Sequence, residues 1–351
     1  MNTHEKKRIP KVVKKKEEKP EIRRVADILR TVQGKNTAYA SAMLMDDSAI
    51  VTVPTTSSGI LSLDIILGGG YPYGRLVELY GPPGSGKTTA TLHALEATQR
   101  RGGVGVFADS EHALDTYYAK RLGVNVPDLL LFQPDTGEDA LNFVIDTVPE
   151  LQPGDLIVVD SVAALIPRVE LEGAVGDQHM GLQARMMSQA MRKLQGVVSK
   201  AGVVVLFINQ TRQKLAITWG NPTTTPGGEA LKFTASVRIE VTKTAPIKKG
   251  NEVIGSGVRF KTVKNKVYPP FREAETGIRF GRGVPRSLDV LTVASLLGIV
   301  EKSGSWLSYA GAQLGQGLDN AADMVESGQP QLLDEIERKV LECYQLNSLG
   351  A

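Results

Sequence analysis

The stretch Gly81-Pro-Pro-Gly-Ser-Gly-Lys87-Thr88 concentrates the residue types needed to hold a chain of phosphates. Gly81, Gly84 and Gly86 let successive backbone N–H groups turn inward as an anion nest, and Pro82, Pro83, Ser85 and Thr89 complete the cradle. A helix beginning here adds its partial positive charge. Lys87 can then reach the β- and γ-phosphates, while the Thr88 hydroxyl is a ligand for Mg²⁺. The spacing matches the Walker A pattern in full. Asp160 closes the apolar run Leu156-Ile-Val-Val and is its Walker B counterpart, the second anchor for the metal. Hydrolysis needs in addition a group that orients or deprotonates water. Glu111, in Asp109-Ser-Glu-His-Ala-Leu-Asp115, is the candidate; a surface loop carboxylate is the plainer alternative that spacing alone leaves open.

These residues are only as good as the elements that hold them. Apolar runs at Leu76–Tyr80, Val104–Ala108, Leu129–Phe132, Leu156–Val159, Val203–Ile208 and Val237–Val241 read as strands. Helical patterns over Lys87–Arg100, Ala113–Leu122, Glu138–Val148, Leu182–Ala201 and Glu229–Thr234 separate them. Such alternation predicts an α/β fold with a mostly parallel central sheet covered on both faces. In that fold, ligands bind at the carboxyl ends of the strands, where Gly81, Glu111 and Asp160 all fall. Beyond Thr242 short strands are expected, with turns at Lys249-Gly-Asn251 and Gly281-Arg-Gly283, then a small mixed segment ending in a helix near Leu332–Tyr344. A helical pattern from Glu21 to about Met45 (Ile22, Val25, Ile28, Leu29, Val32) stands apart and needs a partner surface, either its own core or a neighbouring subunit.

The overall net charge of +3 conceals an asymmetry. Residues 1–24 carry ten Lys/Arg and four Glu, which leaves 31 basic and 34 acidic residues of the chain's 41 and 38 for everything else. The overall charge therefore gives no argument for a globally basic nucleic-acid-binding surface, and any such site must be local. The basic tail reads as disordered, either solubilising or a weak phosphate-binding arm. No apolar run approaches the roughly 18–20 residues that span a bilayer. The N-terminus lacks the apolar segment of a signal peptide. Cys343 is the only cysteine, so intramolecular disulfides are impossible and a cytoplasmic, reducing location is expected.

Several motifs together resemble the bacterial RecA recombinase family: Gly81–Thr89, Asp109–Asp115, Val158-Val-Asp-Ser-Val-Ala-Ala-Leu and Phe207-Ile-Asn-Gln. So do Gly176-Asp-Gln-His-Met-Gly-Leu-Gln-Ala-Arg-Met-Met-Ser-Gln-Ala-Met-Arg-Lys-Leu, Trp219-Gly-Asn-Pro-Thr-Thr-Thr-Pro-Gly-Gly, Lys264-Asn-Lys266 and Gly304-Ser-Trp-Leu-Ser-Tyr309. The resemblance runs from about Thr56 to about Glu342. It implies a RecA-type P-loop NTPase core, an N-terminal helical extension and a small α+β C-terminal domain. It assigns Glu111 as the water-activating carboxylate, Asp115 and Tyr118 as neighbours of the adenine, and Gln210 as the γ-phosphate sensor. Lys264 and Lys266 resemble residues that reach the ATP of the adjoining subunit, much as arginine fingers act elsewhere; from spacing alone they read as a solvated strand edge.

Two segments resemble the family's DNA-binding loops. The first, about Glu172–Met180, leads into a helix whose Arg185, Gln189 and Arg192 form one polar stripe by their i, i+4, i+7 spacing. The second, about Thr211–Gly228, offers Arg212 and Lys214 for charge and Leu215 and Trp219 as wedges. Asn221 lies within it, and Gly220, Gly227 and Gly228 keep the backbone close. Charge interleaved with apolar groups suits sequence-independent single-strand binding. Four departures stand out: Pro82-Pro83-Gly84 where relatives carry a Glu-Ser stretch, Pro226 and Glu229 around the second loop's end, an N-terminal helix only faintly similar, and no acidic tail after Gln345.

The expected organisation is a basic tail over 1–24, a docking helix and strand over 25–55, an ATPase core over 56–284 and a C-terminal domain over 285–351. The expected activity is DNA-dependent ATP hydrolysis with Mg²⁺ by a helical filament on single-stranded DNA. That filament pairs with duplex DNA, exchanges strands, and can trigger cleavage of a LexA-like repressor. A RecA-core helicase, a DNA-repair accessory ATPase and an ATP- and DNA-binding regulator without strand exchange are the alternatives.

Overall fold

The computed structural model describes residues 20–40, 42, 44, 53–174, 181–213 and 223–344, with side chains from residue 25 onward. Two compact units divide at Thr52 and Val53. The first holds helix α1 (Pro20–Lys35) and a 3₁₀ turn at Thr37–Tyr39. The helix stops about ten residues short of the sequence expectation. Asn36 is extended (φ −156°, ψ 130°) and its side chain accepts the Ala38 N–H, capping a new turn instead of continuing the old one.

The second unit is built on an eight-stranded sheet. Its strands are β1 (Leu76–Gly81), β2 (Gly105–Asp109), β3 (Leu129–Phe132), β4 (Leu156–Asp160), β5 (Val204–Gln210), β6 (Val237–Lys249), β7 (Glu252–Asn265) and β8 (Glu273–Arg279). The order across the sheet is β8-β7-β6-β1-β5-β4-β2-β3. From β3 to β6 all neighbours run parallel; β6, β7 and β8 pair antiparallel. The β6–β7 hairpin is longer than the short strands expected beyond Thr242. Thr244-Ala-Pro-Ile-Lys-Lys249 continues β6 and pairs with residues 252–256 around a turn at Gly250 (φ 63°), within the expected turn Lys249-Gly-Asn251.

Helices α2 (Leu61–Leu67) and α3 (Lys87–Arg100) cover one face, α5 (Gly137–Thr147) and α7 (Leu182–Ala201) the other. Helix α7 shows why: Met187, Ala190, Met191, Leu194 and Val198 recur at helical spacing and are all buried. Each large side chain so buried contributes about 1.5–3 kcal/mol over exposure, so a charge at Leu194 would unseat the helix. Short helices α4 (Thr116–Arg121), α6 (Arg168–Glu172) and α8 (Ala230–Thr234) lie in the connections. A separate core forms around α9 (Arg286–Leu296), a three-stranded antiparallel sheet, α10 (Leu318–Gly328) and α11 (Pro330–Cys343), with Leu61 and Ile65 of α2 contributing to it. None of the described helices is long and apolar enough to cross a membrane.

Candidate functional site

Strand β1 delivers the chain into the glycine-rich turn, and α3 starts at Lys87. Gly86 caps the helix at φ 96°, a left-handed conformation that favours glycine, and a Cβ there would also push on Ile278 Cδ1 at 2.4 Å. Lys87 Nζ donates to the carbonyls of Gly81 (3.1 Å) and Pro82 (2.8 Å). Burial pushes the Lys87 ammonium below its ordinary range, opposed by the nearby Asp160 and Glu111. Beside it, Thr88 Oγ1 donates to Asp160 Oδ2 at 2.9 Å. Burial, assisted by Glu111 and Asp109, raises Asp160 to about 6 against the opposing Thr88 hydroxyl and Lys87. Thr88 and Asp160 are an all-oxygen donor pair, the hard set that Mg²⁺ prefers, and their approach leaves other positions to water and phosphate.

The loop after β2 is fixed by buried Asp109, whose carboxylate accepts from Ala113 N, Leu114 N and Gln133 Nε2. Ser110 and Glu111 donate their N–H groups to the Asp160 carbonyl. These bonds hold the exposed Glu111 at the same edge as Asp160. Its Oε1 accepts from Gln210 Nε2 (2.8 Å) and from Ser161 Oγ. Three expected residues from three strand ends, Glu111, Asp160 and Gln210, thus meet beside the phosphate cradle. Ser161 was missed by sequence reasoning; its position next to Asp160 was the available signal.

A cavity of about 330 Å³ continues from the cradle. Tyr118 lines it and bonds Thr89 Oγ1 at 3.1 Å. Asp115 caps α4 by accepting the Tyr118 N–H, so it sets the ring's position from one step back. The far wall comes from Lys243, Ser256, Val258, Ile278, Phe280 and Gly281. None of these was anticipated, because they arrive from the antiparallel extension of the sheet and carry no local motif.

The remaining expected residues lie elsewhere. Lys264 pairs across the sheet with Arg238, which pairs with Glu78, and the Lys266 N–H donates to the Ser236 carbonyl; both lysines face the amino end of β1. Lys264 Nζ donates to the carbonyls of Lys232 and Phe233 at the end of α8, both at 2.8 Å. Desolvation lowers its pKa, with Lys266 and Arg238 adding to the shift. Arg185 and Arg192 are exposed on α7, and Arg192 Nε donates to its own helix at Ser188 O (3.2 Å). Arg212 stands in a two-residue ribbon, Arg212–Gln213 against Thr223–Thr224. Gly227 N–H donates to Gln183 Oε1, while Gln183 Nε2 reaches the carbonyls of Val162 and Leu165. Gln183, unremarked in the sequence, therefore joins the end of the second loop to the segment after Asp160. Met180, Lys214, Leu215, Trp219 and Asn221 lie outside the described residues.

This constellation matches known proteins across nearly the whole chain. The RecA N-terminal domain model covers residues 23–285 and the RecA C-terminal domain model residues 288–345. The chain belongs to the RecA family. It is 50% identical over 320 residues to Protein RecA of Halalkalibacterium halodurans, covering 91% of each chain. Protein RecA of Thermus thermophilus is 55% identical over 300 residues, 85% of this chain and 87% of the relative. The crystal structure of the RadB recombinase shares the fold, with a TM-score of 0.50 and 22% identity over 66% of this chain and 98% of that one. As a RecA-family member the chain is a recombinase of DNA repair and a DNA-dependent ATPase, as the motifs led one to expect.

Proposed function

We propose that ATP hydrolysis here uses Glu111 to orient and deprotonate the attacking water, with Gln210 as the sensor of the γ-phosphate. The observation that carries this reading is the shared Oε1 of Glu111, held by Gln210 and Ser161 beside Lys87. A γ-phosphate offers Gln210 a charged acceptor in place of Glu111, and the exchange frees the carboxylate as it moves the end of β5. Thr88 and Asp160 would hold Mg²⁺, which supplies charge neutralisation on the phosphates. Lys87 releases the Gly81 and Pro82 carbonyls to neutralise phosphate oxygens. Motion at Gln210 reaches the second DNA loop by a short route: Gln210 N–H donates to Asn209 Oδ1, and Asn209 Nδ2 donates to Pro226 O.

Lys264 and Lys266 complete the site of a neighbouring chain. Neither lysine lines the nucleotide cavity of its own chain, and Lys264 Nζ rests at the end of α8, which supports this reading. DNA contacts are assigned to Arg185, Arg192, Arg212 and the glycines Gly227 and Gly228, with Met180, Lys214, Leu215, Trp219 and Asn221 joining them on family grounds. Single-stranded and duplex DNA as partners, a helical filament, cytoplasmic work and stimulated cleavage of a LexA-like repressor complete the reading, together with the boundaries at residues 24, 55 and 284. Electron microscopy of the chain with ATP and single-stranded DNA tests it. Extended filaments are expected; closed rings or isolated chains would overturn it.

A further inference from the structure

The wall of the nucleotide cavity and the C-terminal domain are one continuous piece of chain. Residues 280–285 leave β8, contribute Phe280 and Gly281 to the cavity, turn at Gly283, and enter α9 at Arg286. This strap is anchored from one side by a histidine of the P-loop helix. Val284 N–H donates to His93 Nε2 at 2.9 Å, a buried bond between residues far apart in sequence. His93 is 8% exposed, and a Cβ on Gly283 would stand 2.4 Å from Nε2, so the strap lies directly against the ring. Gly283 itself has φ 67°. Beyond the ring a cavity of about 490 Å³ separates α3 from the C-terminal domain, with Glu96 and Arg100 on one side and Arg286 and Glu337 on the other. The polar fixings between α2–α3 and the strap or α9 are few: Val284 to His93, and Ser62 with the Leu61 backbone to Asp289.

An imidazole that accepts at Nε2 is neutral and carries its proton on Nδ1. A buried N–H deprived of its acceptor is costly, so loss of the ring nitrogen moves the strap rather than leaving Val284 unpaired. Phe280 N–H is separately held by the Ile254 carbonyl and Gly283 by Arg279, so the motion is expected to turn about these bonds and to reach Gly281 on one side and the root of α9 on the other. The phosphate cradle, fixed by β1 and the start of α3, is not part of the strap.

We infer that His93 is a positioning residue for the base end of the nucleotide site, fixing the strap so that Phe280 and Gly281 close on the nucleotide and the C-terminal domain is held in register with the P-loop helix. The inference rests on the cavity being the nucleotide site, as read above. His93→Leu keeps the volume and removes the acceptor, whereas His93→Gln keeps an acceptor. The expected result for Leu is a KM for ATP and a Kd for ADP raised about tenfold, the size of one lost hydrogen bond. The kcat should stay within about twofold and the affinity for inorganic tripolyphosphate should not change, because neither depends on the strap. Gln should lie within about threefold of the unaltered chain in every measurement. Hydrogen exchange should find the Val284 amide protected in the unaltered chain and in Gln, and unprotected in Leu. Equal losses for ADP and tripolyphosphate, no loss for either, or Gln behaving as Leu would overturn the role. An unaltered chain that binds neither ADP nor tripolyphosphate would instead overturn the nucleotide reading beneath it. Should Leu fail to fold, the unaltered chain decides: ADP should slow exchange over residues 280–284 and tripolyphosphate should not, and equal slowing or none sinks the proposal.

Discussion

At the carboxyl end of β1, Thr88, Glu111, Asp160 and Gln210 satisfy one another through side chains drawn from separate strands and loops. Toward its amino end, Lys264 rests on two backbone carbonyls of α8, and on α7 Arg192 rests on a carbonyl of its own helix. The first arrangement is preorganised: each group is aimed before the nucleotide arrives, which is where electrostatic catalysis gains most. The second is provisional. A bond from a lysine or arginine to a neutral carbonyl has charge on one side only, whereas a phosphate oxygen adds an opposite charge, so a phosphate can displace the carbonyl. The carboxylates of the chain's own site are locked by neighbouring side chains, with Lys87 alone resting on backbone carbonyls; charges proposed to serve a neighbour or DNA are lightly held.

The sharpest way to break this comparison is to divide the site between two variants. Glu111→Gln and Lys264→Ala should each lower DNA-stimulated phosphate release by about 10³-fold, within the range for a lost base or a lost trans cation. Both should still bind ATP. In a random equimolar mixture about a quarter of the interfaces pair an intact Glu111 with an intact Lys264, so turnover should return to about that fraction. No recovery would place Lys264 outside its neighbour's site.

A smaller effect probes the locked side. Burial, with Arg100 nearby, pushes His93 down to about 4 from an ordinary 6.5. The unfolded chain therefore takes up this proton first as the pH falls. Stability present above pH 6.5 drains away down to about pH 4, by up to about 3 kcal/mol. Urea midpoints measured over that window should slope less in His93→Gln than in the unaltered chain. The smallest effect concerns the lightly held side. Arg192→Ala should weaken single-strand binding a few-fold and flatten its log–log salt dependence by about 0.7, the signature of one lost phosphate contact. Anisotropy titrations at several salt concentrations measure it, and an unchanged slope would remove Arg192 from the interface.

What the sequence reveals follows the same division. The P-loop is legible because its chemistry is local: strand, glycines, lysine and helix lie within about a dozen consecutive residues. Asp160 is legible because an apolar strand points to its own carboxyl end, and Gln210 through the family resemblance. Ser161, Gln183, Phe280 and His93 are not, since each acts through a partner brought close only by folding; His93 and Val284 are 191 residues apart. The turn of the outer β6–β7 hairpin is legible at Lys249-Gly-Asn251, but the length of its strands hides for another reason. Its Lys, Thr and Pro residues have no apolar alternation to announce a strand, and pairing partners decide the conformation instead. Lys264 and Lys266 look like solvated edge charges in the sequence; Lys266 is exposed, whereas Lys264 is half-buried against the end of α8, a contact that only folding creates.

Placing Lys264 and the phosphate cradle toward opposite ends of one sheet has a directional consequence. On the proposed trans role of Lys264 and Lys266, each chain would give in one direction and receive from the other, so a row of them would have an arrow and two unlike termini. At one terminus a bound nucleotide would lack its borrowed lysines; at the other, a pair of lysines would reach nothing. Hydrolysis would then run at full speed only in the interior, and the two termini would gain and shed chains on different clocks. A geometry that looks like untidy spacing of two lysines in a monomer thus gives the assembly a front and a back.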